Sequence, residues 1–280
     1  MMSTTFVNAN SATLKVPGAK IYYEVQGDGP VLLMIPGGPA DAGAFGDLAP
    51  LMAERYKTVR YDPRGNSRSV LDGPPQDQDM DEHGDDAAAL IAALGDQPAI
   101  VLGSSGGAQI GLNLAARYPK RVRVLVAHEP PCLQLLPDAE VHRRNAQEVL
   151  EVFRTSGAGP AMQKFAAMAG LGGGTQKKPP SPSMQESFSR MQGNFAFFLA
   201  HGVMPIGLYT PDISALAASK VRVVVGVGAE SEGQLAWRSA MALAMRMGLT
   251  PVTFPGGHGG YGEEPGPFAR KLEEVLTTAI

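Results

Sequence analysis

Five short strand-like runs, at 31–35, 57–61, 99–102, 122–127 and 221–227, are the strongest constraint on this chain, because most of them stop abruptly at glycine, proline or an Asp-Pro turn. They are mostly too apolar to alternate inward and outward residues and too short for buried helices, so they read as strands covered on both faces. Helical patterns at 45–54, 85–94 and 108–117 lie between them. Strands that alternate with helices in this way specify a mostly parallel sheet with helices on both sides. Two further strand-like segments open the chain at 12–17 and 20–27, and another, at 251–254, precedes a terminal helical pattern at 268–279.

The alternation breaks down between 133 and 216, where strands give way to helical patterns at 138–155, 161–168 and 182–200. Gly170-Leu171-Gly172-Gly173-Gly174 and Lys177-Lys178-Pro179-Pro180 interrupt them. The economical division is a core formed by 1–132 and 217–280 with a helical cap inserted at 133–216. Met162, Met168, Met184, Met191, Phe195, Phe197, Phe198 and Met204 lie in the insertion. They are expected either to roof an apolar pocket or to form the insertion's own core.

Of the 280 residues, 44% are hydrophobic and 18% charged, which excludes a disordered or collagen-like chain. A formal net charge of −3 leaves no basic excess to neutralise phosphates, so nucleic acid is not an expected partner. The single cysteine, Cys132, sits in a proline-rich turn and reads as a packed thiol. No N-terminal signal pattern and no apolar run of membrane-spanning length is visible, so a soluble cytoplasmic protein is expected. The glycine-rich stretches lack the phosphate-loop pattern, and no cofactor or metal is expected.

The clearest chemical motif is Gly103-Ser104-Ser105-Gly106-Gly107, between a strand-like run and a helical one. This is the setting of a Gly-x-Ser-x-Gly nucleophile elbow, where a sharp turn exposes the serine and only glycine fits on either side. The spacing selects Ser105, because Ser104 would have Leu102 as a flanking residue. Serine needs a base, usually histidine, and a carboxylate to orient that base. Among five histidines, His258 lies in the flexible loop Pro255-Gly256-Gly257-His258-Gly259-Gly260-Tyr261, between the last strand-like run and the last helix. His83, His142 and His201 are more simply explained by packing or solvent exposure. His128 adjoins Glu129, and in an extended segment only one of those two side chains can face the site.

With these motifs the chain resembles the α/β hydrolases over nearly its whole length, with a cap after the sixth core strand. Within them it is similar to the zearalenone lactonases, through Pro36-x-Gly38, the Ser105 elbow and His128-Glu129-x-Pro131. The superfamily usually places the acid in a Gly-x-x-Asp pattern after the seventh strand. Here that region reads Gly226-Val227-Gly228-Ala229-Glu230-Ser231, with no carboxylate in register. The resemblance therefore implies Glu129, at the alternative position after the preceding strand, as the acid, with Glu230 as the other candidate.

Acyl transfer also needs backbone amides to hold the oxyanion. Gly106, following the nucleophile, is one expected donor, and Gly38, in the loop after the 31–35 strand, is the other. Pro36-Gly37 stands where superfamily members often have His-Gly. Asp62-Pro63-Arg64-Gly65-Asn66-Ser67-Arg68-Ser69 resembles the superfamily's Asp-x-Arg-Gly-x-Gly-x-Ser segment, with Ser67 replacing a glycine. It is assigned to architecture, with the arginine bonding local carbonyls. The expected function is a serine hydrolase acting on a small hydrophobic ester or lactone, a macrocyclic lactone being one example. The alternatives are a carbon–carbon bond hydrolase or perhydrolase using the same triad, and a slow or inactive ligand-binding protein.

Overall fold

The computed structural model describes residues 9–171 and 181–279. Much of the glycine- and lysine-rich interruption of the insertion, from Gly172 to Pro180, lies outside the described residues. The sheet runs β1 (Asn10–Val16), β2 (Ala19–Gln26), β4 (Lys57–Tyr61), β3 (Val31–Ile35), β6 (Ala99–Ser104), β7 (Val122–His128), β8 (Arg222–Gly228), β9 (Val252–Phe254), and the two-residue β5 (Val70–Leu71) pairs with β2. The β1–β2 and β2–β4 pairs are antiparallel, and every pair from β4 onward is parallel. This is the α/β-hydrolase fold.

Central strands are buried on both faces, which explains their continuous apolar runs. In β3, Leu33 and Ile35 enter one core while Leu32 and Met34 enter the other. Val101 and Ile100 of β6 divide in the same way. The first core lies under α2 (Met80–Leu94), α3 (Gly106–Arg117) and α9 (Leu235–Met247); the second lies under α1 (Ala49–Met52) and α11 (Pro265–Ala279). No helix among the described residues is long and apolar enough to cross a membrane.

Several local expectations needed correction. The helix anticipated at 45–54 is a 3₁₀ turn at Ala42–Phe45 followed by the four-residue α1. Pro50 explains the restart, since proline has no N–H to give and is suited to a first helical turn. Helix α2 begins at Met80, five residues before the expected start. Asp79 caps it by accepting the Asp81 N–H, and Asp81 and Glu82 favour its positive end. Arg64 bonds chiefly to carboxylates: Asp86 accepts two hydrogen bonds at 2.7 Å and Glu82 lies 2.7 Å away, while the Pro17 carbonyl is at 3.4 Å. Ser67 has a φ of 47°, the left-handed conformation for which the usual glycine is suited.

Between β7 and β8 the described chain is helical: α4 (Ala139–Ser156), α5 (Ala158–Ala169), α6 (Pro182–His201), α7 (Val203–Leu208) and α8 (Ile213–Ala218). Ala146, Val149, Ala161, Phe198, Leu199 and Val203 form a separate apolar cluster, with Met162, Met168 and Met204 packed against it. Sequence periodicity had not resolved α7, α8 or α9. Helix α6 spans the whole expected segment and reaches the loop after β3 through a stripe of polar residues, Ser187, Arg190 and Asn194.

Candidate active site

Ser105 stands between β6 and α3 with φ 54° and ψ −127°, a strained conformation for a residue with a side chain. The neighbouring glycines make that turn sterically possible. A Cβ on Gly103 would lie 2.4 Å from the Gly107 carbonyl oxygen, and one on Gly107 would lie 2.1 Å from the Ile35 oxygen. The Ser105 N–H donates to the His128 carbonyl at 2.9 Å, tying the elbow to the end of β7.

The next residue, Glu129, also has positive φ, 47°. This left-handed residue ends the strand, and the two adjacent side chains go to different partners. His128 turns into the core, edge-on to Phe254 and Phe268, with neither ring nitrogen hydrogen-bonded among the described residues; burial pushes its pKa down to about 4, against the pull of Glu129. Glu129 turns the other way. Its Oε2 lies 2.6 Å from His258 Nδ1, and its Oε1 accepts the Gly228 N–H at 2.8 Å. Burial opposes ionisation of this fully covered side chain. The hydrogen bond and charge of His258 outweigh that effect and hold the carboxyl below its usual range.

Glu230 occupies a different place. It is exposed, and its backbone N–H donates to the Gly256 carbonyl, while the β8 end contributes the Gly228 N–H to Glu129. The imidazole therefore meets Glu129. The structure joins His258 to Glu129 and Ser105's backbone to the same strand end, but no hydrogen bond among the described residues connects Ser105 Oγ with His258. Catalytic contacts of this type often form only when substrate is bound. His142 and His201 lie by Asp138 and Asp77, at 3.3 and 3.1 Å. His83 is buried at 2% exposure. Cys132 is fully buried, and burial pushes its thiol pKa up.

The two expected amide donors lie together. A Cβ on Gly106 would be 3.2 Å from Gly38 N, and one on Gly37 would be 2.8 Å from Gly106 N, so the β3 loop lies directly against the elbow. Asn66 Nδ2 donates to the Gly38 and Ala40 carbonyls at 3.2 and 3.0 Å, and Asn194 Nδ2 donates to the Pro39 carbonyl at 2.8 Å. Asp41 completes the loop. It accepts from Gly43 N, Ser67 Oγ, Ser187 Oγ and Arg190 Nε at 2.8, 3.0, 2.7 and 2.5 Å. Sequence reading missed this seam. Asp41 ahead of Ala42 is recognisable as a helix cap, but nothing local reveals partners about 150 residues away.

Next to Gly38 and Gly106 is a cavity of about 10 Å³, bordered also by Pro36, Pro63, Gln78, Met80, His83, Ile110 and Ile206. That volume holds roughly one water. Phe198 stands 3.6 Å from where a Gly38 side chain would begin, and Ile206 stands 3.4 Å from the same point on Gly106. The roof presented by α6 and α7 is apolar at these two positions.

The family model for the alpha/beta hydrolase fold matches residues 30–192. The uncharacterized hydrolase YraK of Bacillus subtilis (strain 168) is 35% identical over 271 residues, covering 95% of this chain and 96% of that protein. A 2-(acetamidomethylene)succinate hydrolase of Mesorhizobium japonicum is 34% identical over 102 residues, 36% of each chain. Among solved structures, a thermophilic esterase from Thermogutta terrifontis superposes with a TM-score of 0.75 at 19% identity, covering 98% of this chain and 99% of the esterase, a likeness of fold. The family match spans more than half the chain and the Bacillus relative nearly all of it, so this protein is a hydrolase of the α/β-hydrolase family.

Proposed function

We propose that the chain is a cofactor-independent serine hydrolase that cleaves a hydrophobic carboxylic ester or lactone. The observation that carries this reading is the 2.6 Å contact between His258 Nδ1 and the buried Glu129 carboxylate, beside the strained Ser105 elbow. Glu129 fixes the proton on Nδ1 and leaves Nε2 as the base. In the proposed reaction Ser105 Oγ attacks the carbonyl carbon as His258 Nε2 takes its proton. The Gly38 and Gly106 N–H groups hold the oxyanion, and collapse of the tetrahedral intermediate releases the alcohol, which takes its proton from Nε2. Water, deprotonated by the same imidazole, then cleaves the acyl-enzyme and restores Ser105.

The apolar roof supports a hydrophobic substrate, and we assign residues 133–216 to a cap that must lift to admit it. No lysine or arginine borders the cavity among the described residues, so a dicarboxylate such as that named for the Mesorhizobium relative would lack a counter-charge there. The motifs shared with zearalenone lactonases make a macrocyclic lactone a rational first assay. An organophosphate should label Ser105 stoichiometrically with loss of esterase activity, read by peptide mass mapping. An enzyme left unlabelled and fully inactive on esters and lactones would refute the reading.

A further inference from the structure

His83 is not part of the proposed triad, yet it borders the same cavity as the two amide donors. It lies in the first turns of α2, 2% exposed, and its Nε2 is 3.2 Å from Gln78 Oε1. An imidazole nitrogen facing a carbonyl oxygen must carry the proton, so this contact places the hydrogen on Nε2. Burial, reinforced by the charge of Arg64, pushes the pKa down to about 3 and keeps the ring neutral. Nδ1 is then a bare acceptor. It is buried and has no hydrogen-bond partner among the described residues. A buried acceptor left unsatisfied is costly, so such a position favours anything that brings a donor.

The surroundings limit what that donor can belong to. Gly38 and Gly106 border the cavity, so a carbonyl oxygen held by their amides would place nearby substituents beside it. Met80, Ile110 and Ile206 supply apolar wall. We infer that His83 is a specificity-determining residue that accepts a hydrogen bond from an O–H or N–H group carried by the substrate close to its scissile carbonyl. This deepens the hydrolase reading and rests on it. It specifies a hydroxylated or amide-bearing ester in place of a plain hydrocarbon one. An ether oxygen at the same position, which has no proton to give, would be rejected.

Two matched substrate sets test this. One varies the acyl side: phenyl 3-hydroxybutanoate, phenyl 3-methoxybutanoate and phenyl butanoate. The other varies the alcohol: 2-hydroxyethyl, 2-methoxyethyl and propyl butanoate. In one of the sets, kcat/KM for the hydroxyl compound should exceed that for its methoxy partner by about ten- to a hundredfold. The ratio should fall to near one in His83→Phe. A ratio is independent of how much enzyme is folded, and Gln78→Met, which releases the imidazole tautomer, gives a second variant in which it should shrink. Wild-type ratios near one in both sets, with Ser105 still labelled by organophosphate, would overturn the inference alone, leaving His83 as the partner of a trapped water. A preference that survives His83→Phe would overturn it too. Failure of labelling and of all ester cleavage would bring down this inference together with the hydrolase reading.

Discussion

Two fully buried carboxylates, Glu129 and Asp41, flank the elbow, and the same physics gives them different work. Each accepts a backbone N–H, from Gly228 and Gly43 respectively, and each pairs with a cationic or cation-forming side chain at 2.5–2.6 Å. Burial opposes ionisation in both, and their partners outweigh it. The partners differ. Glu129 holds the imidazole of His258, whereas Asp41 holds the permanently charged guanidinium of Arg190, on α6. In the proposed reaction the first arrangement orients the base; the second fastens the helical insertion to the loop that carries Gly38. A buried carboxylate thus gains its role from what it holds, and its depth alone does not identify a catalytic acid.

The comparison breaks most sharply at Glu129. Glu129→Gln retains the shape but removes the charge and supplies an amide that cannot stabilise imidazolium. We expect kcat on a phenyl ester to fall by about 10⁴-fold, as when charge is removed from an equivalent orienting acid. Thermal unfolding followed by circular dichroism should still show a cooperative transition. Retention of more than about a tenth of wild-type turnover would exclude Glu129 as the orienter.

At Asp41 the expected loss is smaller and falls on stability. Asp41→Asn leaves Arg190 without its charge partner, and removing one member of a buried pair costs about 3–5 kcal/mol. Arg190 keeps 23% side-chain exposure and a second carboxylate, Glu186, at 2.9 Å, so the lower end, about 3 kcal/mol, is expected. Urea unfolding measures the total, and hydrogen exchange should locate the loss in α6. Combining Asp41→Asn with Arg190→Leu should recover part of it, because the stranded charge is removed as well. An unchanged α6 would mean that the seam does not fasten the helical insertion.

Acid sharpens the same contrast. The folded pKa of Asp41 lies below its ordinary value, so its contribution is complete above about pH 4 and disappears as pH falls through the folded pKa. The stability difference between wild type and Asp41→Asn should therefore be constant near neutrality and shrink in acid. A difference that persisted to pH 2 would show that the carboxylate's charge is not what stabilises the seam.

Local signals in the sequence were sufficient for the sheet and the elbow. The apolar runs are continuous because β3, β6 and β7 are covered on both sides, and the glycines around Ser105 are there because a Cβ would collide with backbone. His258 was legible for the same reason, since a glycine-rich loop at the end of the last strand leaves few alternatives. The His128 and Glu129 side chains do face different ways, but through left-handed backbone at Glu129 and not through the extended pair that the sequence suggested. What escaped was non-local. Asp41 meets Arg190 and Asn194 meets Pro39 only after the insertion has folded back over the core, and His83 shares a cavity with Gly38 although the two lie 45 residues apart. Polar residues on α6 look like an ordinary solvated stripe until their partners are known. The early end of α2 was hidden by Gly84, which breaks a helical reading but in the fold leaves room for Asn113, whose Oδ1 would lie 2.1 Å from a Cβ there.

The smallest effect is expected at Glu230, and it isolates position from chemistry. Glu230 and Glu129 carry the same functional group, and Glu230 is nearer to the superfamily's usual acid position in sequence. In the fold its side chain is exposed, while the end of β8 reaches the site through the Gly228 amide. An exposed carboxylate exerts a screened field, and surface substitutions of this kind usually change stability by less than about 0.5 kcal/mol. Glu230→Gln should therefore leave kcat/KM within about twofold of wild type across the neutral range, measured beside Glu129→Gln on the same ester. A loss at Glu230 comparable with that at Glu129 would mean that the imidazole changes partner during turnover, and the division of labour between the two strand ends would have to be redrawn.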